Sequence, residues 1–227
     1  MLLRKWITGS VAVAGLLFAV AAHAKPPKSG FYLGATAGQS KYSEDLGEAD
    51  GLLFDAFASV GLPVRAVTSE SDDTDTNFAV FAGYRFFPYL AAEFAYVDLG
   101  ELTYNADVVL QGTAIPGSVD ITFASKGPLG SALGIWPIND SWDVYARAGL
   151  YISDTKLKVN VRLLNISDSE TESKASVDSM IGLGTAVHLG DHFSLRLEYQ
   201  RFGAVGDEDT TGESNIDLVN AGFLVRF

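Results

Sequence analysis

Apolar and polar residues alternate with a period of two in eight segments of about ten or more residues. They are residues 31–41, 76–87, 90–102, 118–136, 142–158, 175–189, 192–202 and 215–227. In the fifth, Trp142, Val144, Ala146, Ala148, Leu150 and Ile152 share one face, and Asp143, Tyr145, Arg147, Gly149, Tyr151 and Ser153 share the other. In the seventh, Phe193, Leu195, Leu197 and Tyr199 oppose Ser194, Arg196, Glu198 and Gln200. Side chains of a strand point alternately to opposite faces, so each segment predicts a strand with one apolar and one polar side. The last segment alternates up to Phe227 at the carboxyl terminus. In a soluble protein such a strand would be an adhesive edge, whereas a closed barrel has no edge.

The connections alternate in length. Residues 42–75, 103–117, 159–174 and 203–214 are long, while 88–89, 137–141 and 190–191 are short. Transmembrane barrels follow this rule, with long loops outside and short turns in the periplasm. The expected fold class is therefore all-β, an eight-stranded antiparallel transmembrane β-barrel in up-and-down meander order, with both termini in the periplasm. A soluble β-sandwich is the alternative, but it has no reason to alternate long and short connections. Gly127, Pro128 and Gly130 interrupt the fourth segment and predict a bulge or kink there. Phe86, Phe87, Tyr89, Trp136, Trp142, Phe193 and Phe227 gather at the expected periplasmic ends, and Tyr42, Tyr104 and Phe202 at the other rim. Both groups fit aromatic girdles.

Export chemistry supports the same address. Arg4 and Lys5 precede an apolar run at residues 11–22, followed by Ala22–His23–Ala24. This is the pattern of a secretory signal peptide cleaved after Ala24, which leaves residues 25–227 as one barrel domain. The precursor carries −12. Without Arg4 and Lys5, 28 acidic residues face 14 basic ones, a net −14. That balance argues against nucleic acid as a partner. There is no cysteine, so no disulfide holds this exported chain.

An eight-stranded barrel is filled by side chains, and charges inside it must pair. Arg85, Glu93, Arg147, Arg196, Glu198 and Arg226 fall on polar rows and are the candidates for an interior charge network. That network is either structural or the lining of a narrow ion path. The apolar stretch at 51–63 has Leu53, Phe54, Phe57 and Val60 at helical spacing before Pro63, which predicts a short amphipathic helix in the first loop. The clusters Glu70, Asp72, Asp73, Asp75 and Asp207, Glu208, Asp209, Glu213 match no EF-hand spacing and read as a solvated acidic surface. His192 and Ser194 superficially resemble the His-x-Ser of lipid A deacylases. They fall beside the turn at 190–191, at the periplasmic end, with Ser194 on the inward row and no partner acid set by spacing. No catalytic residue, cofactor or metal is expected.

Several stretches resemble the outer membrane protein A-like β-barrel family. They are Gly30–Phe31–Tyr32–Leu33–Gly34–Ala35, Phe81–Ala82–Gly83–Tyr84–Arg85–Phe86, the run from Leu90 to Gly100, the run from Trp142 to Leu150, and the terminal Gly222–Phe223–Leu224–Val225–Arg226–Phe227. The resemblance implies an eight-stranded barrel among outer-membrane lipids of Gram-negative bacteria. It implies assembly by the outer-membrane machinery, with Phe227 resembling the signal that machinery reads. Longer members add a peptidoglycan-binding domain, and none is expected here. The expected function is non-enzymatic, a structural or surface-interaction role as a monomer, with a surface ligand reached through acidic loops. The alternative is a narrow porin-like channel for small or hydrophobic solutes.

Overall fold

The computed structural model describes residues 29–43, 51, 58–59, 64–110, 116–163, 166–207 and 212–227. Nine strands fill most of them: β1 (Gly30–Tyr42), β2 (Val64–Asp72), β3 (Thr74–Phe87), β4 (Leu90–Leu110), β5 (Pro116–Asn139), β6 (Trp142–Leu163), β7 (Ile166–His188), β8 (Phe193–Asp207) and β9 (Gly212–Arg226). Eight of them close a ring. Neighbours in sequence pair antiparallel from β3 to β9, and β1 pairs with both β3 and β9. The closing seam runs from Tyr32↔Arg226 to Tyr42↔Ile216.

The ninth strand, β2, lies in the stretch expected as the first long loop. It adds no stave to the ring. β3 meets β4 as far as Phe78↔Asp98, and β2 continues along the same edge from Asp72↔Thr103. Its sequence, VRAVTSESD, carries no sustained apolar alternation, so the pattern did not reveal it. The helix expected at 51–63 is described only at Gly51, Ala58 and Ser59, which are helical; residues 52–57 and 60–63 lie outside the described residues. The signal segment lies outside them too.

The strands also outrun their expected ends. β4, β5, β6 and β7 are 21, 24, 22 and 23 residues long. β1, β8 and β9 are 13, 15 and 15. A tilted strand crosses hydrocarbon in about 9–11 residues. The connections expected at 103–117 and 159–174 are therefore largely strand, a sheet that stands beyond the membrane.

The bulge expected near Gly127, Pro128 and Gly130 of β5 is on the neighbouring strand instead. Gly127 and Pro128 keep register with Val97 and Tyr96. The irregularity falls opposite, between Asp98 and Glu101 of β4, where Gly100 has φ +79°. Only glycine adopts this conformation cheaply. The extra residue moves the inward row of β4 from odd positions, ending at Leu99, to even ones, starting at Leu102.

The outward row is apolar and uncovered. Phe94, Leu150, Ile181, Leu183 and Phe223 are each more than half exposed. A soluble monomer rarely shows such a continuous band, and a bilayer covers it. Phe31, Phe86, Phe87, Tyr89, Trp136 and Phe227 crowd its periplasmic border. The other girdle was misassigned: Tyr42, Tyr104 and Phe202 point inward and are buried. They sit beyond the membrane band, where the inner face is a packed apolar core.

Gly100→Ala is expected to lose about 1–2 kcal/mol, because a Cβ at positive φ is strained. Gly130→Ala, where a Cβ meets nothing within 4 Å, should stay within about 0.5 kcal/mol of the parent. Equilibrium urea unfolding in lipid vesicles measures both.

Candidate functional site

The inward rows bring charged side chains together in two layers. In the middle of the barrel, Glu93 of β4 and Glu198 of β8 flank Arg147 of β6. Arg147 pairs with Glu93 through Nη2, and its Nη1 lies 3.1 Å from Glu198 Oε1. Arg196 donates from Nη2 to Glu93 Oε1 at 2.7 Å and from Nη1 to Oε2 at 3.1 Å. Its guanidinium lies 4.7 Å from the Phe81 ring centre and 5.0 Å from that of Tyr145, within cation–π range. All four charged residues are buried.

Each glutamate is held by the same three-strand device. Tyr32, Gly83 and Glu93 lie in register across β1, β3 and β4. Tyr145, Gly184 and Glu198 lie in register across β6, β7 and β8. In both rows the tyrosine bends over the glycine of the neighbouring strand to reach the glutamate beyond. Tyr32 donates to Glu93 Oε1 at 2.7 Å, and Tyr145 to Glu198 Oε2 at 3.0 Å. A Cβ at either glycine would overlap the tyrosine ring.

The second layer lies at the periplasmic end. Arg85 donates from Nη1 to Asp143 Oδ2 at 2.7 Å and from Nη2 to the Pro88 carbonyl. His188 Nε2 lies 3.0 Å from the same Asp143 oxygen, and its Nδ1 lies 2.8 Å from Ser194 Oγ. Arg226 Nη2 reaches both Ser194 Oγ and His188 Nδ1, the latter at 2.6 Å. A guanidinium can only donate, so Nδ1 is the acceptor and Nε2–H donates to Asp143.

The six residues singled out in the sequence thus divide. Glu93, Arg147, Arg196 and Glu198 meet in the central layer; Arg85 and Arg226 belong to the periplasmic one. Phe227 is exposed at that end, its N–H donating to Phe31 O at 3.1 Å. Ala24 lies outside the described residues. Tyr32, Tyr145, Asp143, His188 and Ser194 were not foreseen as site residues. The polar-row parity of β6 to β8 marks four of them, and His188↔Ser194 is the pair nearest the β7–β8 turn. The pairing of Ser194 with His192 does not hold. His192 stands in the turn, where its carbonyl accepts from the Arg226 N–H at 2.8 Å, and the histidine bonded to Ser194 is His188.

A closed antiparallel ring, an apolar outer band, an aromatic periplasmic border and a charge-paired interior define an integral outer-membrane β-barrel protein. The sequence profile of the OmpA-like transmembrane domain matches residues 26–227, and the chain belongs to that family. Its home is the bacterial outer membrane. It is similar to outer membrane protein A of Escherichia fergusonii, 28% identical over 221 residues, covering 96% of this chain and 54% of that protein. The Shigella dysenteriae protein of the same name is 29% identical over the same length and coverage. The chain spans about half the length of the curated relatives it matches. Among solved structures, Neisserial surface protein A is similar at 16% identity and TM-score 0.48, covering 88% of this chain and 98% of that one.

Arg147→Ala leaves two buried glutamates short of a cation and is expected to cost about 3–5 kcal/mol. Arg147→Met combined with Glu198→Gln should cost less, because Arg196 and Glu93 remain as a pair and no net charge is stranded. Urea midpoints of the refolded variants decide this.

Proposed function

We propose that this protein is a non-enzymatic barrel that supports the outer membrane and presents an interaction surface outside the cell. The observation that carries this reading is the contrast between a sealed interior and an outgrown exterior. Arg147 and Arg196 lie across the interior, each bonded to glutamate. Beyond the band, β4 to β7 run on for about ten residues, roughly 30 Å along each strand. Residues 169–175 of β7 are exposed throughout, and β7 registers with β8 only between Ser179 and His188. That stretch is rich in Ser, Thr, Glu and Lys, a polar strand suited to contact with a hydrophilic partner. Lys126, Lys156 and Lys158, exposed just past the apolar band, suit the anionic headgroups of the outer leaflet.

Catalysis has little to work with. Ser194, His188 and Asp143 form a hydrogen-bonded chain, but Ser194 and His188 are 1% exposed and Arg226 already donates to both. The adjoining cavity of about 30 Å³ has no room for a substrate.

A narrow channel is the second reading. Ser131 Oγ and both side-chain polar atoms of Asn77 are buried without partners, and Asn220 Oδ1 likewise. Such groups call for internal water, the first ingredient of a path. The refolded mature chain in a planar bilayer separates the readings. Silence is expected, together with adhesion of expressing cells to host-type surfaces. Adhesion should fall when residues 104–121 and 158–171 are replaced by tight turns that leave the barrel heat-modifiable. Regular conductance steps that Arg147→Ala alters would favour the channel.

A further inference from the structure

The transmembrane interior holds more positive than negative charge. Four guanidiniums, Arg85, Arg147, Arg196 and Arg226, face three carboxylates, Glu93, Asp143 and Glu198. The next inward acid, Asp178, belongs to the extracellular side, where Ser176 donates to it at 2.8 Å. The surplus collects in the periplasmic layer. Asp143 already serves Arg85 and His188. Arg226 hydrogen-bonds to the Ser194 hydroxyl and the His188 ring, and no carboxylate among the described residues forms a salt bridge with it.

The same layer holds a partly open cavity of about 30 Å³, lined by Arg85, Arg196, Arg226, His188 and Asp143 together with Tyr32 and Tyr145. Arg85 and Arg196 are 6% exposed, and the Nε–H of each is buried without a partner. Two idle buried donors and a guanidinium without a carboxylate thus border one small space. An uncompensated buried charge and an idle buried donor each weigh against the folded state. An anion in the space offsets both.

We propose that this cavity binds a small inorganic anion, a halide such as chloride, which enters from the periplasmic rim beside the half-buried Arg226. The volume sets the size. It admits about two water-sized bodies and excludes phosphate and organic acids. Asp143 Oδ1 also lacks a partner, and a water beside the ion satisfies it. The ion completes the charge balance of the layer and links Arg226 of β9 to Arg85 of β3, both of which flank β1 in the ring.

Crystals of the refolded barrel soaked in sodium bromide test this directly. An anomalous peak in the cavity, within hydrogen-bond reach of the Arg85 and Arg196 Nε atoms, is expected. A cavity holding only water at saturating bromide overturns the proposal. In micelles, the unfolding temperature should be a few degrees higher in sodium chloride than in sodium gluconate of equal ionic strength. The difference should disappear in Arg226→Gln, which removes the surplus charge. Equal midpoints in the two salts also overturn it. If Arg226→Gln does not refold, the bromide peak and the wild-type salt comparison decide the matter.

Discussion

Two carboxylates sealed inside a tube of hydrocarbon-backed strands set the terms for the rest of the molecule. Neither Glu93 nor Glu198 has water to fall back on, and the cost of burying them is recovered only by donors of good geometry. The barrel supplies these by repeating one solution. A tyrosine two strands away reaches over a glycine, and Arg147, in the register gap between the rows, takes a carboxylate on either side. The glycines at 83 and 184 are consequences of this arrangement, since any larger residue would hold the phenol off its glutamate. Arg196 then fits because Phe81 and Tyr145 offer their ring faces to a cation that already holds Glu93.

Closure is the second constraint, and it acts on the backbone. In lipid each unpaired N–H or C=O costs several kcal/mol, so the ladder must continue around the ring without an edge. The β1–β9 seam satisfies this over eleven paired positions, Tyr32 to Tyr42. Beyond the lipid the requirement lapses, because water can bond an open edge. There the ring opens. β8 departs from the β7 ladder after Gly203, with Ala204 and Gly206 at positive φ, and β4 to β7, joined by β2, continue as an open sheet. The transition from tube to open sheet is thus a change of solvent written into strand length.

Much of this was legible as parity. Alternation gave the eight staves, the meander order and the inward placement of all six charged residues, because one lipid-facing row leaves each strand only one register. What parity could not give is which inward residues meet. Glu93 and Arg196 are 103 positions apart, and their contact depends on the shear of the closed ring. Nor could it place the bulge. Gly127 and Pro128 look like breakers in sequence, yet they keep register with β4, and the β6 ladder passes them without a shift, while Gly100 carries the left-handed turn. That one residue also explains why Tyr104, expected in a rim girdle, is buried: beyond the bulge the even positions of β4 face inward. β2 escaped because a strand lying outside the membrane needs no apolar row.

The placement of Arg226 follows from these constraints together. The seam joins the first strand to the last, and at its periplasmic end the ladder stops. A seam that frayed there would expose backbone at the edge of the hydrocarbon. Arg226 fastens this end twice, its N–H to the His192 carbonyl in the β7–β8 turn and its guanidinium to Ser194 and His188 beneath that turn. A neutral residue could make the backbone bond. Only a long donor reaches across the inner face to tie β9 to β8 and, past it, to β7, and its charge is the cost of that reach. The charge surplus at the periplasmic end is therefore a by-product of holding the barrel shut where its ladder ends.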